Sequence, residues 1–91
     1  MSPQRRVVRF RGSVQGVGFR HTALMIARAY HVTGTVRNVP DGTVETVIEG
    51  EPDEIDAFID AIRAQMGGYI RHVDQDQAPA TGEFHDFNVR F

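Results

Sequence analysis

The apolar residues change their spacing along the chain, and the order of those changes constrains the fold more than any single motif does. Val8, Phe10, Gly12 and Val14 alternate with Arg9, Arg11 and Ser13, the period of two that marks a strand with one buried face. From His21 to His31 the period lengthens, with Ala23, Ile26, Ala27 and Tyr30 on one helical face. Gly34 closes that helix region, Thr35 to Val39 is short and β-branched, and Thr43 to Glu49 alternates again through Val44, Thr46 and Ile48. Pro40-Asp41-Gly42 joins the last two segments. Proline presets φ, Asp bonds its own backbone and Gly tolerates positive φ, so the pair reads as a β-hairpin.

The clearest helix opens at Glu51-Pro52 and stops at Gly67-Gly68. Proline suits the first helical position, Asp53, Glu54 and Asp56 complement the helix dipole, and Ile55, Phe58, Ile59, Ile62 and Met66 form a continuous core stripe. Tyr69 to Val73 reads as a strand and Gln77 to Glu83 as a loop. Phe84 to Phe91 reads as a closing strand with Phe87, Val89 and Phe91 on one face. Tyr69 and the phenylalanines are expected mostly in the core, with Phe19 anchoring its loop to the sheet. The order is β-α-β-β-α-β, the α+β, ferredoxin-like split βαβ arrangement with two helices on one face of a mostly antiparallel sheet. At 91 residues the expectation is a single domain, 1–91, whose active site is shallow and carried on a loop.

Charge is unevenly placed. The net charge of −2 gives no overall reason to bind nucleic acid or an acidic membrane. Yet the first 45 residues hold Arg5, Arg6, Arg9, Arg11, Arg20, Arg28 and Arg37 against only Asp41 and Glu45, so an anion is expected in that half. Cysteine is absent, which excludes disulfides, thiolate metal sites and cysteine nucleophiles. The first ten residues contain no apolar signal region and no stretch is apolar enough to span a membrane, so the expectation is a cytoplasmic protein.

Gly12 to Arg20, GSVQGVGFR, lies between the first strand and the first helix. This is where a tight loop turns its N–H groups inward and a helix N-terminus adds partial positive charge, the ordinary setting for a phosphate. A Walker A loop requires lysine, which the chain lacks, and a dinucleotide fingerprint starting at Gly16 meets His21 where Gly or Ala belongs. What remains is either a plain tight turn or an anion cradle closed by Arg20, whose planar fork suits a phosphoryl group. Asn38 ends the second strand, and the split βαβ topology can bring that strand end beside the loop. There it either starts the Pro-Asp-Gly turn or holds a water without adding a repelling charge.

Two spaced motifs resemble the acylphosphatase family. The first, G-x-V-Q-G-V-x-[FY]-R, is matched by Gly12, Val14, Gln15, Gly16, Val17, Phe19 and Arg20, and the second by Gly34, Asn38, Gly42, Val44 and Gly50. The resemblance implies hydrolysis of a carboxyl-phosphate anhydride to a carboxylate and inorganic phosphate, without a metal or other cofactor. It implies that Gln15, Gly16, Val17, Gly18, Phe19 and Arg20 bind the phosphoryl group, and that Asn38 positions the attacking water. Two positions depart from the family pattern: Thr35 replaces an aromatic residue, and Val39 stands where animal members often carry Thr.

The expected partners are a small acyl phosphate and inorganic phosphate as product or inhibitor, with no nucleic acid, no membrane and a monomeric chain. The alternative is a non-catalytic ferredoxin-like module binding a small molecule or RNA. RNA binding would want exposed aromatics where Arg9 and Arg11 stand. The starting Met and the closing strand favour a free-standing protein over the acylphosphatase-like part of a larger carbamoyl transferase. Arg20-His21 lacks the glycine of histidine phosphatases, Asp74-Gln75-Asp76 reads as a solvated strand end, and His31, His72 and His85 are too scattered to ligate zinc.

Overall fold

The computed structural model describes residues 2–91. Its elements are β1 (Gln4–Gly12), α1 (Phe19–Ala27), β2 (Val32–Asn38), β3 (Val44–Gly50), α2 (Pro52–Met66), β4 (Ile70–Pro79) and β5 (Phe87–Val89). The sheet order is β4-β1-β3-β2-β5. β1 pairs antiparallel with β3 and β4, β2 pairs antiparallel with β3, and β5 runs parallel to β2. This is the expected split βαβ with β5 added at one edge. Each helix connects two parallel strands with a third strand between them, so the C-terminal ends of β1 and β2 lie at the same end of the sheet.

Both helices cover one face, where Val8, Phe10, Val36, Val44 and Ile48 meet Ile55, Phe58, Ile59 and Ile62, all at most 2% exposed. α2 has the bounds its apolar stripe implies, because that stripe is local information. Gly34 does not end the first helix; it lies inside β2, where a Cβ would come 1.8 Å from the Val47 carbonyl oxygen. The true helix end is tighter and earlier. Arg28, Ala29 and Tyr30 donate three residues back to Met25, Ile26 and Ala27, and β2 starts at Val32 so that Val32 and Thr33 pair with Gly50 and Glu49.

Several boundaries differ from the sequence expectation for physical reasons. β1 begins at Gln4 and ends at Gly12, leaving Val14 as a buried loop residue. β4 continues to Pro79, through the first three residues of the expected loop, because its backbone is held by β1 in register from Phe10–Val73 to Gln4–Pro79. Asp74 to Asp76 is therefore mid-strand, with Asp74 accepting from Arg11 Nε at 2.7 Å and from His72 at 2.8 Å. The closing strand shrinks to Phe87–Val89; Phe91 is 99% exposed and Tyr69 44% exposed, so neither belongs to the core. Among the described residues no helix is long and apolar enough to cross a membrane.

Glu49 fastens the segment after β4. Its carboxylate, buried on the sheet face away from the helices, accepts from Arg5 Nε at 2.7 Å, from the N–H groups of Thr81 and Gly82 at 2.9 and 3.0 Å, and from Thr81 Oγ1 at 3.1 Å. Burial pushes this carboxyl up, but the two backbone donors, Arg5 and the Thr81 hydroxyl outweigh it and bring it down to about 2. A depressed carboxyl stabilises the fold above its unfolded value and stops doing so as pH falls through its folded value. Glu49→Gln is therefore expected to lose roughly 2 kcal/mol at pH 7. In thermal melts the gap to wild type should narrow between pH 4.5 and 2, and a gap that stays constant over that range would refute the assignment.

Candidate active site

The loop from Ser13 to Gly18 is anchored at both ends. Val14 and Phe19 are 1% and 2% exposed, Phe19 lies 5.0 Å from the Phe10 ring, and Ser13 donates its N–H to Tyr69 at 2.9 Å. Between the anchors Gly16 and Gly18 take φ of +77 and +75, a conformation that costs glycine little and other residues more. These two reversals curl the backbone. Gly18 caps α1 through its carbonyl, which accepts from Thr22 N at 2.9 Å, and no side chain caps the helix start. The first-turn N–H groups have no intrahelical acceptor. The first turn of α1 carries no acid, whereas α2 places Asp53 and Glu54 at the same position. A positive end without its own counter-charge is suited to an external anion.

Arg20 lies in that first turn, half-buried, with its guanidinium carbon 5.0 Å from the centroid of the Phe91 ring. Arg5, Arg6, Arg9, Arg11 and Arg37 each pair with a carboxylate. Arg20 pairs with none among the described residues. Stacking engages the flat face of the guanidinium and leaves its N–H edge able to donate.

Asn38 closes β2 and is half-buried. It shares a cleft of about 310 Å³ with Gly16, Gly18, Arg20, His21, Val89 and Phe91. Four residues expected from the sequence are thus brought together: Gly16, Gly18, Arg20 and Asn38. The side chains of the other three expected residues do not line it. Val17 packs against the core, Phe19 is in it, and Gln15 turns its side chain toward the β2–β3 turn. His21, Val89 and Phe91 were not expected there. Val89 enters because β5 pairs in parallel with β2, Val36 opposite Val89, and a parallel pairing across most of the chain leaves no local pattern.

Other clefts are of similar or larger size but different chemistry. One of about 420 Å³ is lined by Arg63, Arg71 and His72 beside the C-terminal end of α2, and one of about 610 Å³ surrounds Glu49 and the Thr81-Gly82 segment. The Glu49 carboxylate already has its donors, and the end of α2 presents carbonyls. In the smaller cleft positive-φ glycines, a helix N-terminus, an unpaired guanidinium and a neutral amide converge.

Known proteins share the family and the fold. A family model described as acylphosphatase matches residues 6–89. An acylphosphatase of Lactobacillus johnsonii is 43% identical over 84 residues, covering 90% of this chain and 92% of its own. The crystal structure of acylphosphatase from Bacillus subtilis superposes with a TM-score of 0.84 at 26% identity, covering 98% of this chain and 99% of that one. Full-length HypF, in a phosphate- and nucleotide-bound crystal structure, gives the same TM-score of 0.84 at 29% identity, but the match spans only 12% of that chain. Sequence, fold and near-complete mutual coverage point the same way: the chain belongs to the acylphosphatase family.

Proposed function

We propose that this acylphosphatase hydrolyses small acyl phosphates in the cleft between the Gln15–Arg20 loop and Asn38. The observation that carries the reading is the convergence of the unpaired Arg20 and the Gly16 and Gly18 backbone with Asn38 on one cleft. In this reading the main-chain N–H groups of the loop and the Arg20 guanidinium donate to the non-bridging phosphoryl oxygens. They neutralise charge that the phosphoryl group carries through the reaction, in a site whose dipoles are set before substrate arrives. The Asn38 carboxamide orients a water toward phosphorus. A new P–O bond forms to that water as the bond from phosphorus to the acyl oxygen breaks.

The acyl oxygen leaves as a carboxylate, a weak base with a conjugate-acid pKa of about 4, and needs no protein acid. The water's proton passes to a phosphoryl oxygen. Among the described residues no Asp or Glu side chain lines the cleft to receive it instead. Since fixed donors and one guanidinium balance the charge, the reading requires no metal and no other cofactor. One chain supplies the whole apparatus, acting as a monomer and a single domain over residues 1–91.

RNA binding has weaker support. The open face of the sheet would have to stack bases, yet it carries Arg5, Arg9, Arg11 and Arg37, each held by an acid on the same face.

The test is release of inorganic phosphate from benzoyl phosphate by the purified protein, with and without a chelator. Turnover is expected to be equal in both, with inorganic phosphate as a competitive inhibitor. Absence of turnover would overturn the function, and loss of turnover in chelator would overturn the metal-free mechanism.

A further inference from the structure

The Gln15 side chain does not face the cleft. Its Nε2 donates to the carbonyl of Val39 at 2.7 Å and to the carbonyl of Thr43 at 2.9 Å. Both partners can only accept, so the amide nitrogen must be the atom facing them. These two carbonyls are the ones that close the β2–β3 turn. Val39 O also accepts from Gly42 N at 3.0 Å, and Thr43 O also accepts from Val39 N at 2.9 Å. Asp41 Oδ1 completes the turn from within, accepting from Thr43 N and Thr43 Oγ1. One side chain from the α1 loop thus grips both ends of a turn that begins at the residue after Asn38.

The consequence is geometric. Asn38 and the loop belong to different strands, and β3 lies between β1 and β2 in the sheet. Nothing in the ladder itself fixes the loop against the end of β2. Gln15 supplies that link. The same residue contributes to the loop backbone on one side and holds the turn on the other.

We infer that the Gln15 side chain is a positioning residue, which sets Asn38 and its water against the phosphoryl group by clamping the Val39 and Thr43 carbonyls to the phosphate loop. The inference rests on the water-positioning role proposed for Asn38. Gln15 is exposed, so replacing its amide leaves the core intact. Displacement of a reacting group by about 1 Å costs up to about 10²-fold in rate.

The experiment is a double-mutant cycle on benzoyl phosphate hydrolysis, with kcat, KM and the inhibition constant of inorganic phosphate measured for wild type, Gln15→Met, Asn38→Ala and the double variant. Gln15→Glu serves as a second replacement, since an ionised carboxylate cannot donate to either carbonyl. Gln15→Met is expected to lower kcat about 10- to 100-fold while the phosphate inhibition constant moves less than about 3-fold. In the Asn38→Ala background the same substitution is expected to add less than about 3-fold, because the group it positions is gone. Equal losses in both backgrounds, or a phosphate inhibition constant that rises in step with the loss of kcat, would overturn the positioning role and leave Asn38's role standing. A fully active Asn38→Ala enzyme would overturn the reading of Asn38 and this inference with it.

Discussion

Arg20→Ala is expected to lower kcat/KM for benzoyl phosphate by about 10²- to 10³-fold, the usual consequence of removing a charged transition-state donor. The inhibition constant of inorganic phosphate should rise with it, because the guanidinium meets the same oxygens in substrate, transition state and product. The argument starts from what Arg20 does not do. It forms no ion pair among the described residues and stacks only on the exposed Phe91 ring, so little folding energy depends on it. The variant should melt within about 0.5 kcal/mol of wild type, and its loss of activity cannot then be read as unfolding. Arg20→Lys should recover only part of the rate, since an ammonium offers a point charge where the phosphoryl group takes a planar fork. A loss of less than 10-fold in Arg20→Ala, or a normal phosphate inhibition constant, would remove Arg20 from the phosphate site.

Arg20 also shows how little charge counting along the chain says about which arginine is left to meet an anion. The first 45 residues are rich in arginine, which reads as a place for an anion. The fold uses most of that excess internally. β1 presents Arg5, Arg9 and Arg11 on its open face, and these meet Glu49 and Glu45 of β3 and Asp74 of β4 across the ladder, while Arg6 reaches Asp56 of α2 from the helix side. Cross-strand pairs of opposite charge each contribute a fraction of a kcal/mol to sheet pairing. Arg5, Arg6 and Arg11 of the basic first half therefore meet acids of the second, while Arg9 and Arg37 share Glu45 of their own half. Among the described residues of that first half Arg20 and Arg28 are left over, and of the two only Arg20 lines the cleft with Asn38.

The legibility of the fold follows the same division between local and distant causes. The α2 stripe from Ile55 to Met66 needs only its own spacing, and it was readable to the residue. The sequence expectation ends β4 at Val73 because Asp74 and Asp76 beyond it are poor strand formers in isolation. Their strand is imposed by the backbone of β1, and an edge strand with solvent on much of both faces has no alternation to show. The spacing from Phe87 and Val89 puts Phe91 with the core, yet β5 ends at Val89 and the ring lies in the cleft over Arg20. The loop glycines, Arg20 and Asn38 were legible as residue types at defined spacing. The second use of Gln15 was not, because its partners are main-chain carbonyls 24 and 28 residues away, and a carbonyl leaves no mark in a sequence.

Asn38→Ala should separate the two halves of the proposed mechanism. If Asn38 holds the attacking water and leaves the phosphoryl oxygens to the loop, its removal should lower kcat by about 10²-fold while the inhibition constant of inorganic phosphate stays within about 3-fold of wild type. Arg20→Ala, by contrast, should move both. Asn38 ends β2 opposite Val44, so Ala keeps the strand pairing, and the turn beyond it retains its own bonds from Val39 N to Thr43 O and from Gly42 N to Val39 O. Asn38→Asp sharpens the case. It keeps the size and an acceptor for water but brings a negative charge beside an anionic substrate, so it should also raise KM and the phosphate inhibition constant. An Asn38→Ala enzyme with normal kcat and raised KM would make the carboxamide a ligand of the phosphoryl group, and the water would then need another holder in the cleft.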